Sequence, residues 1–242
     1  MLRAVTFDLW NTVIREKSED SIEEVVITRL ADILARYGEA RPKEDITEVA
    51  MRCRDKVMGF QVNEGKEMPP EEQLAWIVAA LDIPSTERLM AELYEAYTTA
   101  SLEQLPEPVP GVARVLIQLK EQVDLALICN TGRTPGSTAR IILERLGLKQ
   151  HFSHLLFSNE VGVAKPHPEI FRQALAALGI QPQEAVHIGD DPRTDVRGAR
   201  DIGMRTAWLA HGRQLTGVEC DVVVHNWEDF LTWIRNQVTF SS

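Results

Sequence analysis

Apolar positions change rhythm along this chain. Leu2 to Phe7 is a short apolar run with β-branched members, the pattern of a buried strand, and it ends on Asp8 ahead of an Asn11-Thr12 turn. Arg15 to Asp20 is a charged connection. From Ser21 to Gly38 the spacing becomes helical: Ile22, Val25, Val26, Leu30, Ile33 and Leu34 recur three and four apart. Ser21 with Glu24 has the form of a capping box, and Gly38 of a stop. A second helix is predicted over Lys43 to Phe60, broken by Asn63-Glu64-Gly65. Pro69-Pro70-Glu71-Glu72 opens a third, with Leu74, Ile77, Val78 and Leu81 as its apolar stripe. Pro84-Ser85 opens a fourth that runs to about Leu102. The segment Ser21 to Leu102 therefore predicts helices and no strand.

The stretch Pro106 to Gly111 holds three prolines and a glycine, and reads as a stiff break and a domain boundary. Beyond it, helix and strand patterns alternate. The predicted helices are Val112 to Glu121, Pro135 to Leu146, Pro168 to Leu178 and Arg193 to Ile202. They precede strands Asp124 to Cys129, Leu155 to Phe157, Ala185 to Gly189 and Arg205 to Leu209 respectively. A short strand Asp221 to Val224 and a helix Trp227 to Gln237 complete the chain pattern. Such alternation indicates βα units around a parallel sheet. A lone strand cannot stand by itself, so the first strand belongs with the later ones. The expected fold is α/β, a Rossmann-like parallel sheet core with an inserted all-helical cap. The core is placed at 1–17 and 106–242, the cap at 18–105.

Composition narrows the function classes. Of 242 residues, 44% are hydrophobic, which fits a packed core and not a disordered chain. A net charge of −10 argues against a nucleic-acid partner, whose phosphates it would repel. Cys53, Cys129 and Cys220 are odd in number and show no zinc spacing, which favours a reducing compartment. Met1 to Val5 runs directly into strand pattern without an apolar leader, and no apolar run approaches the ~20 residues of a membrane span. A cytoplasmic protein without a membrane partner is expected.

The candidate chemistry falls at strand ends. A carboxylate delivered to the C-terminal tip of a strand lies where open α/β sheets bind ligands, and Asp8 is one. Ile188-Gly189-Asp190-Asp191-Pro192-Arg193-Thr194-Asp195 supplies more. Asp191 or Asp195 alone reads as a helix cap. Clustered with Asp8 and Asp190 at one sheet edge, they repel one another unless a cation holds them, and an oxygen-only set suits Mg²⁺. Lys165, fixed before Pro166, is by itself a surface lysine; beside a carboxylate and a phosphate it would neutralise charge on the transferring group. His167 reads as a turn or capping residue. Cys129-Asn130-Thr131 ends a strand in small polar groups that can cradle an anion.

Taken together, the four sites resemble the haloacid dehalogenase superfamily of hydrolases. Phe7-Asp8-Leu9-Trp10-Asn11-Thr12 is similar to its first motif, Cys129-Asn130-Thr131 to its second, Lys165-Pro166 to its third, and Gly189-Asp190 through Asp195 to its fourth. The helical insertion resembles the family's small cap. The resemblance implies that Asp8 is a nucleophile forming an aspartyl-phosphate. It implies Mg²⁺ ligation by Asp8, Asp190 and the Trp10 carbonyl, with Asp195 in support directly or through water. Lys165 would stabilise nucleophile and phosphoryl oxygens, and Cys129, Asn130 and Thr131 would hold the phosphate of a small phosphorylated substrate.

Two positions depart from the pattern. Family phosphatases carry an acid/base Asp two residues after the nucleophile, worth about 10²–10⁴-fold. Here it is Trp10, whose indole only donates a hydrogen bond. The hydroxyl of the second motif is Cys129, a weak donor, and Thr131 is two residues displaced. Trp10 leaves three activities open: a phosphatase first, a 2-haloacid dehalogenase-like hydrolase second, and a catalytically weak protein that binds a phospho-ligand or a partner third. Arg15, Arg52, Arg54 and Lys56 are candidates to reach a substrate anion, with a solvated helix face as the plainer alternative. Among Lys43, Lys56 and Lys66 no phosphonatase-type cap lysine is identifiable. Trp76 is expected in the cap core. The sequence does not choose between monomer and homodimer.

Overall fold

The computed structural model describes residues 1–17 and 21–237. Residues 18–20, where the sequence places the start of the cap, lie outside the described residues. Among the described residues eight strands are formed: β1 (Ala4–Phe7), β2 (Ile14–Arg15), β3 (Glu107–Pro108), β4 (Asp124–Cys129), β5 (His154–Phe157), β6 (Ala185–Gly189), β7 (Arg205–Leu209) and β8 (Val222–Val224). Six build one parallel sheet in the order β5-β4-β1-β6-β7-β8. Helices cover both faces, so the central strands are buried on both sides: every residue of β1 and β6 is buried. The strand order reverses beside β1. Chain connections run outward through β4 and β5 on one side, and through β6 to β8 on the other. Phe7 pairs with Leu127 and with Ile188, so the tips of β1, β4 and β6 end side by side at the crevice where α/β sheets bind ligands.

The insertion consists of α1 (Ile22–Arg36), α2 (Lys43–Glu64), α3 (Pro70–Ala80) and α4 (Glu87–Glu103). It has its own apolar core, which includes Leu30, Leu34, Ile46, Leu74 and Leu93. Ser21 caps α1, its hydroxyl accepting from the Glu24 amide at 3.2 Å. The second helix outlasts its apolar stripe and ends at Gly65, which takes the left-handed conformation (φ 63°) that favours glycine. The fourth begins later than Pro84-Ser85 suggests, because the Thr86 hydroxyl accepts from the Leu89 amide and fixes the start at Glu87.

One pairing departs from the sequence expectation. Arg15 and Glu107, read as parts of a charged connection and a stiff break, lie on an antiparallel ribbon of β2 with β3 where the chain leaves and re-enters the sheet domain. The segment Arg193 to Ile202 is not one uniform helix: a wide π-type turn at Pro192–Val196 precedes a short α-helix Arg197–Asp201. Among the described residues no helix is long and apolar enough to cross a membrane.

Candidate active site

β1 delivers Asp8, whose amide donates to the Ile188 carbonyl at 2.9 Å and so continues the sheet register to the strand tip. β6 delivers Asp190 beside it. The π-type turn then brings Asp195 back under the strand. Gly189 makes that approach possible, since a Cβ there would fall 2.2 Å from Asp195 Cγ. Carboxylate oxygens of Asp8, Asp190 and Asp195 all lie within 4.8 Å of one another. The fourth strand-end residue arrives from the loop after β5. Lys165, 1% exposed, donates from Nζ to Asp8 Oδ1 at 2.6 Å and to Asp195 Oδ1 at 2.7 Å. Its backbone is clasped by Asn130: the Asn130 amide nitrogen donates to the Lys165 carbonyl at 2.9 Å, and the Lys165 N–H donates to Asn130 Oδ1 at 2.7 Å. His167 caps the following helix, its Nδ1 accepting from the Glu169 amide at 3.2 Å.

The electrostatics follow from burial and from one buried ammonium among three carboxylates. Burial pushes Asp8 up to about 6 against the opposing pull of Lys165. Burial and the neighbouring Asp8 and Asp195 push Asp190 up to about 7. Burial also raises Asp195, but Lys165 and His187 outweigh it and hold that carboxyl well below the usual range. For Lys165, burial works against the charge and is overcome by Asp195 and Asp8, so the ammonium is held above its ordinary value. A cation added to the cluster would relieve the strain on Asp8 and Asp190. The donor chemistry fits Mg²⁺, since these are hard carboxylate oxygens. Asp195 is the member with both oxygens already engaged, Oδ1 by Lys165 and Oδ2 by the Asp191 amide at 3.0 Å. Asp190 is positioned through its carbonyl, which accepts from Trp208 Nε1 at 3.0 Å and from Arg213 at 2.7 Å.

The residues expected to hold a phosphate are placed differently. Cys129 is buried at the tip of β4 and its thiol is pushed far up by burial, with Asp8 adding to the shift; it donates to the Asn130 carbonyl at 3.3 Å. The Thr131 amide donates to Ser158 Oγ at 2.8 Å, and the two hydroxyls lie 3.1 Å apart. Ser158 in turn donates to Glu67, a cap residue between α2 and α3. Gln61 and the Met68 amide also donate to Glu67. Gln73 of α3 donates to the Gly132 carbonyl at 3.1 Å, Arg133 pairs with Glu23 of α1, and the Ala164 amide donates to the Gly65 carbonyl at 2.9 Å. The cap is thus seated on the loops that follow β4 and β5. Trp10 is half-buried and packs against both the sheet core and the cap core.

Three of the four cationic candidates, Arg15, Arg52 and Lys56, are engaged elsewhere. Arg15 pairs with Glu107, Arg52 lies over the Trp76 ring at 5.6 Å, and Lys56 over Phe60 at 4.9 Å. Trp76 packs against the cap core. Sequence reasoning passed over Ser158, Glu67, His187 and Trp208. Ser158 carries a legible signal, a small polar residue just past a strand tip. Glu67 carries none, because its partners come from distant segments.

Residues 2–203 match the family model of haloacid dehalogenase-like hydrolases. The chain belongs to this family. It is 32% identical to a glyceraldehyde 3-phosphate phosphatase of Pyrococcus abyssi, over 88% of this chain and 83% of that one. It is 31% identical to the enzyme of the same name from Pyrococcus furiosus, over 64% of this chain and 62% of the relative's length. In fold, this hydrolase is similar to a 2-haloacid dehalogenase from Pseudomonas syringae, with a TM-score of 0.71 and 24% identity over 96% of this chain and 100% of that one.

Proposed function

We propose that this hydrolase is a Mg²⁺-dependent phosphatase that acts on a small phosphorylated metabolite through an aspartyl-phosphate on Asp8. The observation that carries the proposal is the pairing at the floor of the site. One oxygen of Asp8 is held by Lys165 at 2.6 Å, while Asp190 and Asp195 supply hard oxygens within 4.8 Å. The phosphatase names of the Pyrococcus relatives support it. Asp8, Asp190 and the Trp10 carbonyl would hold the cation, with Asp195 in support. Bound there, Mg²⁺ would supply charge neutralisation for the phosphoryl oxygens.

The chain's own residues account for the rest. Asp8 attacks phosphorus, the bond from phosphorus to the leaving oxygen breaks, and water then cleaves the aspartyl-phosphate to return Asp8 and inorganic phosphate. Lys165 fixes the attacking carboxylate and offsets charge on the transferring group. Cys129, Asn130 and Thr131 form the phosphate-side turn. Trp10 has no proton to give to the departing oxygen, so substrates whose leaving groups are stable as anions are favoured. The cap, residues 18–105 over a core of 1–17 and 106–242, excludes water and selects the substrate. The free thiols of Cys53, Cys129 and Cys220 support a cytoplasmic setting.

The deciding experiment is a phosphate-ester panel with and without Mg²⁺. Turnover of an activated aryl phosphate that needs Mg²⁺ and is lost in Asp8→Asn is expected. Folded protein without turnover on any ester would overturn the proposal. Trp10→Asp should raise rates on poor leaving groups more than on good ones, and equal effects would remove the missing-acid account. The aromatic Trp10 favours a second reading, dehalogenation, which predicts halide release from a short 2-haloacid without metal. Saturable phospho-ligand binding without turnover would point to the third.

A further inference from the structure

Behind the carboxylate cluster lies a buried imidazole to which no step above assigns a role. His187 is on β6, two residues before Gly189, and is 1% exposed. Its ring meets the edge of Phe171, centroids 5.1 Å apart, and its strand neighbours Val186 and Ile188 are buried and apolar. A polar ring in such a place is costly unless its nitrogens are satisfied, and both are. Nδ1 lies 2.8 Å from the hydroxyl of Thr6, the residue it faces across β1. Nε2 lies 3.3 Å from Asp195 Oδ1, the oxygen that also receives Lys165.

Hydrogen-bond direction follows from the partners. An ionised carboxylate only accepts, so Nε2 carries the hydrogen. The neutral ring then presents a lone pair at Nδ1, which the Thr6 hydroxyl fills. Donors therefore run in one sense from Thr6 through His187 to Asp195, where they meet the ammonium that also reaches Asp8.

We propose that His187 is a positioning residue: held as the Nε2–H tautomer by Thr6, it fixes Asp195 Oδ1 at the point from which Lys165 is presented to Asp8. Asp195 is then pinned on three sides, by His187 and Lys165 on Oδ1 and by the Asp191 amide on Oδ2. The inference rests on reading Asp8 as the nucleophile. It adds that the geometry of the Asp8–Lys165 pair is set from the interior of the sheet, two residues removed from the reacting atoms. Partners that orient a ligand or its supporting residue typically carry about 10–100-fold in activity or affinity.

The experiment uses the full chain with wild type, His187→Phe, His187→Gln, Thr6→Val and Thr6→Ser. On an activated aryl phosphate with saturating Mg²⁺, His187→Phe keeps an aromatic ring at the position and loses the donor. It is expected to lower kcat about 10–100-fold with little change in KM. His187→Gln, which keeps a donor and an acceptor, should recover part of the loss. Thr6→Val should lose severalfold and Thr6→Ser should restore it. A second readout needs no turnover: nitrogen NMR of labelled histidine in the metal-free protein should show His187 protonated at Nε2 alone. A kcat for folded His187→Phe equal to wild type overturns the proposal, as does protonation at Nδ1 in place of Nε2. If His187→Phe does not fold, the Thr6 pair and the tautomer decide. Wild-type protein inert on every ester, with His187 still protonated at Nε2, would instead count against the phosphatase reading and leave the positioning geometry standing.

Discussion

The floor of the site and the rim beneath the cap are built by different means. At the floor, Asp8 and Asp190 leave adjacent strand tips, Asp195 returns from the turn after one of them, and Lys165 enters from a loop clasped by Asn130. Charge dominates there, with one ammonium shared by two carboxylates. At the rim, Glu67 reaches from the cap to Ser158, which is 91 residues away, and Ser158 holds Thr131. Hydrogen bonds dominate there, and their partners come from both cap and core. The floor is rigid because the sheet positions it. The rim exists only while the cap is seated. Opening of the cap would break the rim contacts and leave the floor, which the sheet positions, in place.

The largest predicted effect tests the floor. Lys165→Ala removes the cation from between Asp8 and Asp195 and leaves two buried carboxylates without the ammonium that offsets their charge. Breaking a buried ion pair by removing one partner costs about 3–5 kcal/mol. The variant is expected to lose that much in urea unfolding of the metal-free protein, and to lose turnover with it. A loss below about 1 kcal/mol, the range of exposed pairs, would mean that the floor is not held by this charge pairing. Next comes Gly189→Ala. The added methyl would sit 2.2 Å from Asp195 Cγ, so Asp195 or the turn that carries it must shift. Overpacking of this kind costs about 1–3 kcal/mol. Thermal unfolding should register it, and the rise in melting temperature on adding Mg²⁺ should shrink as the cluster is displaced. An unchanged Mg²⁺ response would show that Asp195 is dispensable to the site.

This contrast explains what was legible in the sequence. Strands Asp124–Cys129, Ala185–Gly189 and Arg205–Leu209 and helix Pro168–Leu178 fall where the pattern places them, because a buried parallel strand is an apolar run with sharp polar ends. The floor inherits part of that legibility, since Asp8 and Asp190 directly follow strands, whereas Lys165 lies beyond a short helix Ser158–Val161 after β5 and is marked only by its place before Pro166 and by the family resemblance. The β2–β3 ribbon was not legible: its strands are two residues each and their pairing joins Arg15 to Glu107. Glu67 was hidden for the same reason. Its environment is made by Gln61, Met68 and Ser158, and no local pattern distinguishes it from any loop glutamate. Trp10 lies between the two cases. Its position beside the nucleophile was evident, but its packing against both cores depends on how the cap is seated.

A smaller effect tests the rim. Ser158→Ala removes the hydroxyl that links Glu67 to Thr131 and leaves a buried carboxylate short of one donor, a loss of about 1–3 kcal/mol. Unlike the floor substitutions, it should weaken cap seating before it weakens chemistry, raising KM more than it lowers kcat. An equal fall in kcat and kcat/KM would place Ser158 with the floor.

The smallest effect concerns pH and also belongs to the rim. Burial holds the Glu67 carboxyl above its ordinary value of 4.5, against the hydrogen bonds from Ser158 and Gln61 that pull it down. The folded protein therefore binds this proton more tightly than the unfolded chain does. Stability contributed by Glu67 is fully present below pH 4.5 and declines as pH rises through the raised folded value. Glu67→Gln has nothing to titrate at that position, so the two proteins should follow different courses. The stability of wild type relative to the variant should be highest near the acid end and fall as pH increases above 4.5. Paired urea unfolding at a series of pH values measures that difference directly, with other titrating groups common to both chains. A relative stability that instead rises over the same window would mean that the hydrogen bonds from Ser158 and Gln61 outweigh burial, and that the rim, like Asp195 at the floor, holds its carboxylate ionised.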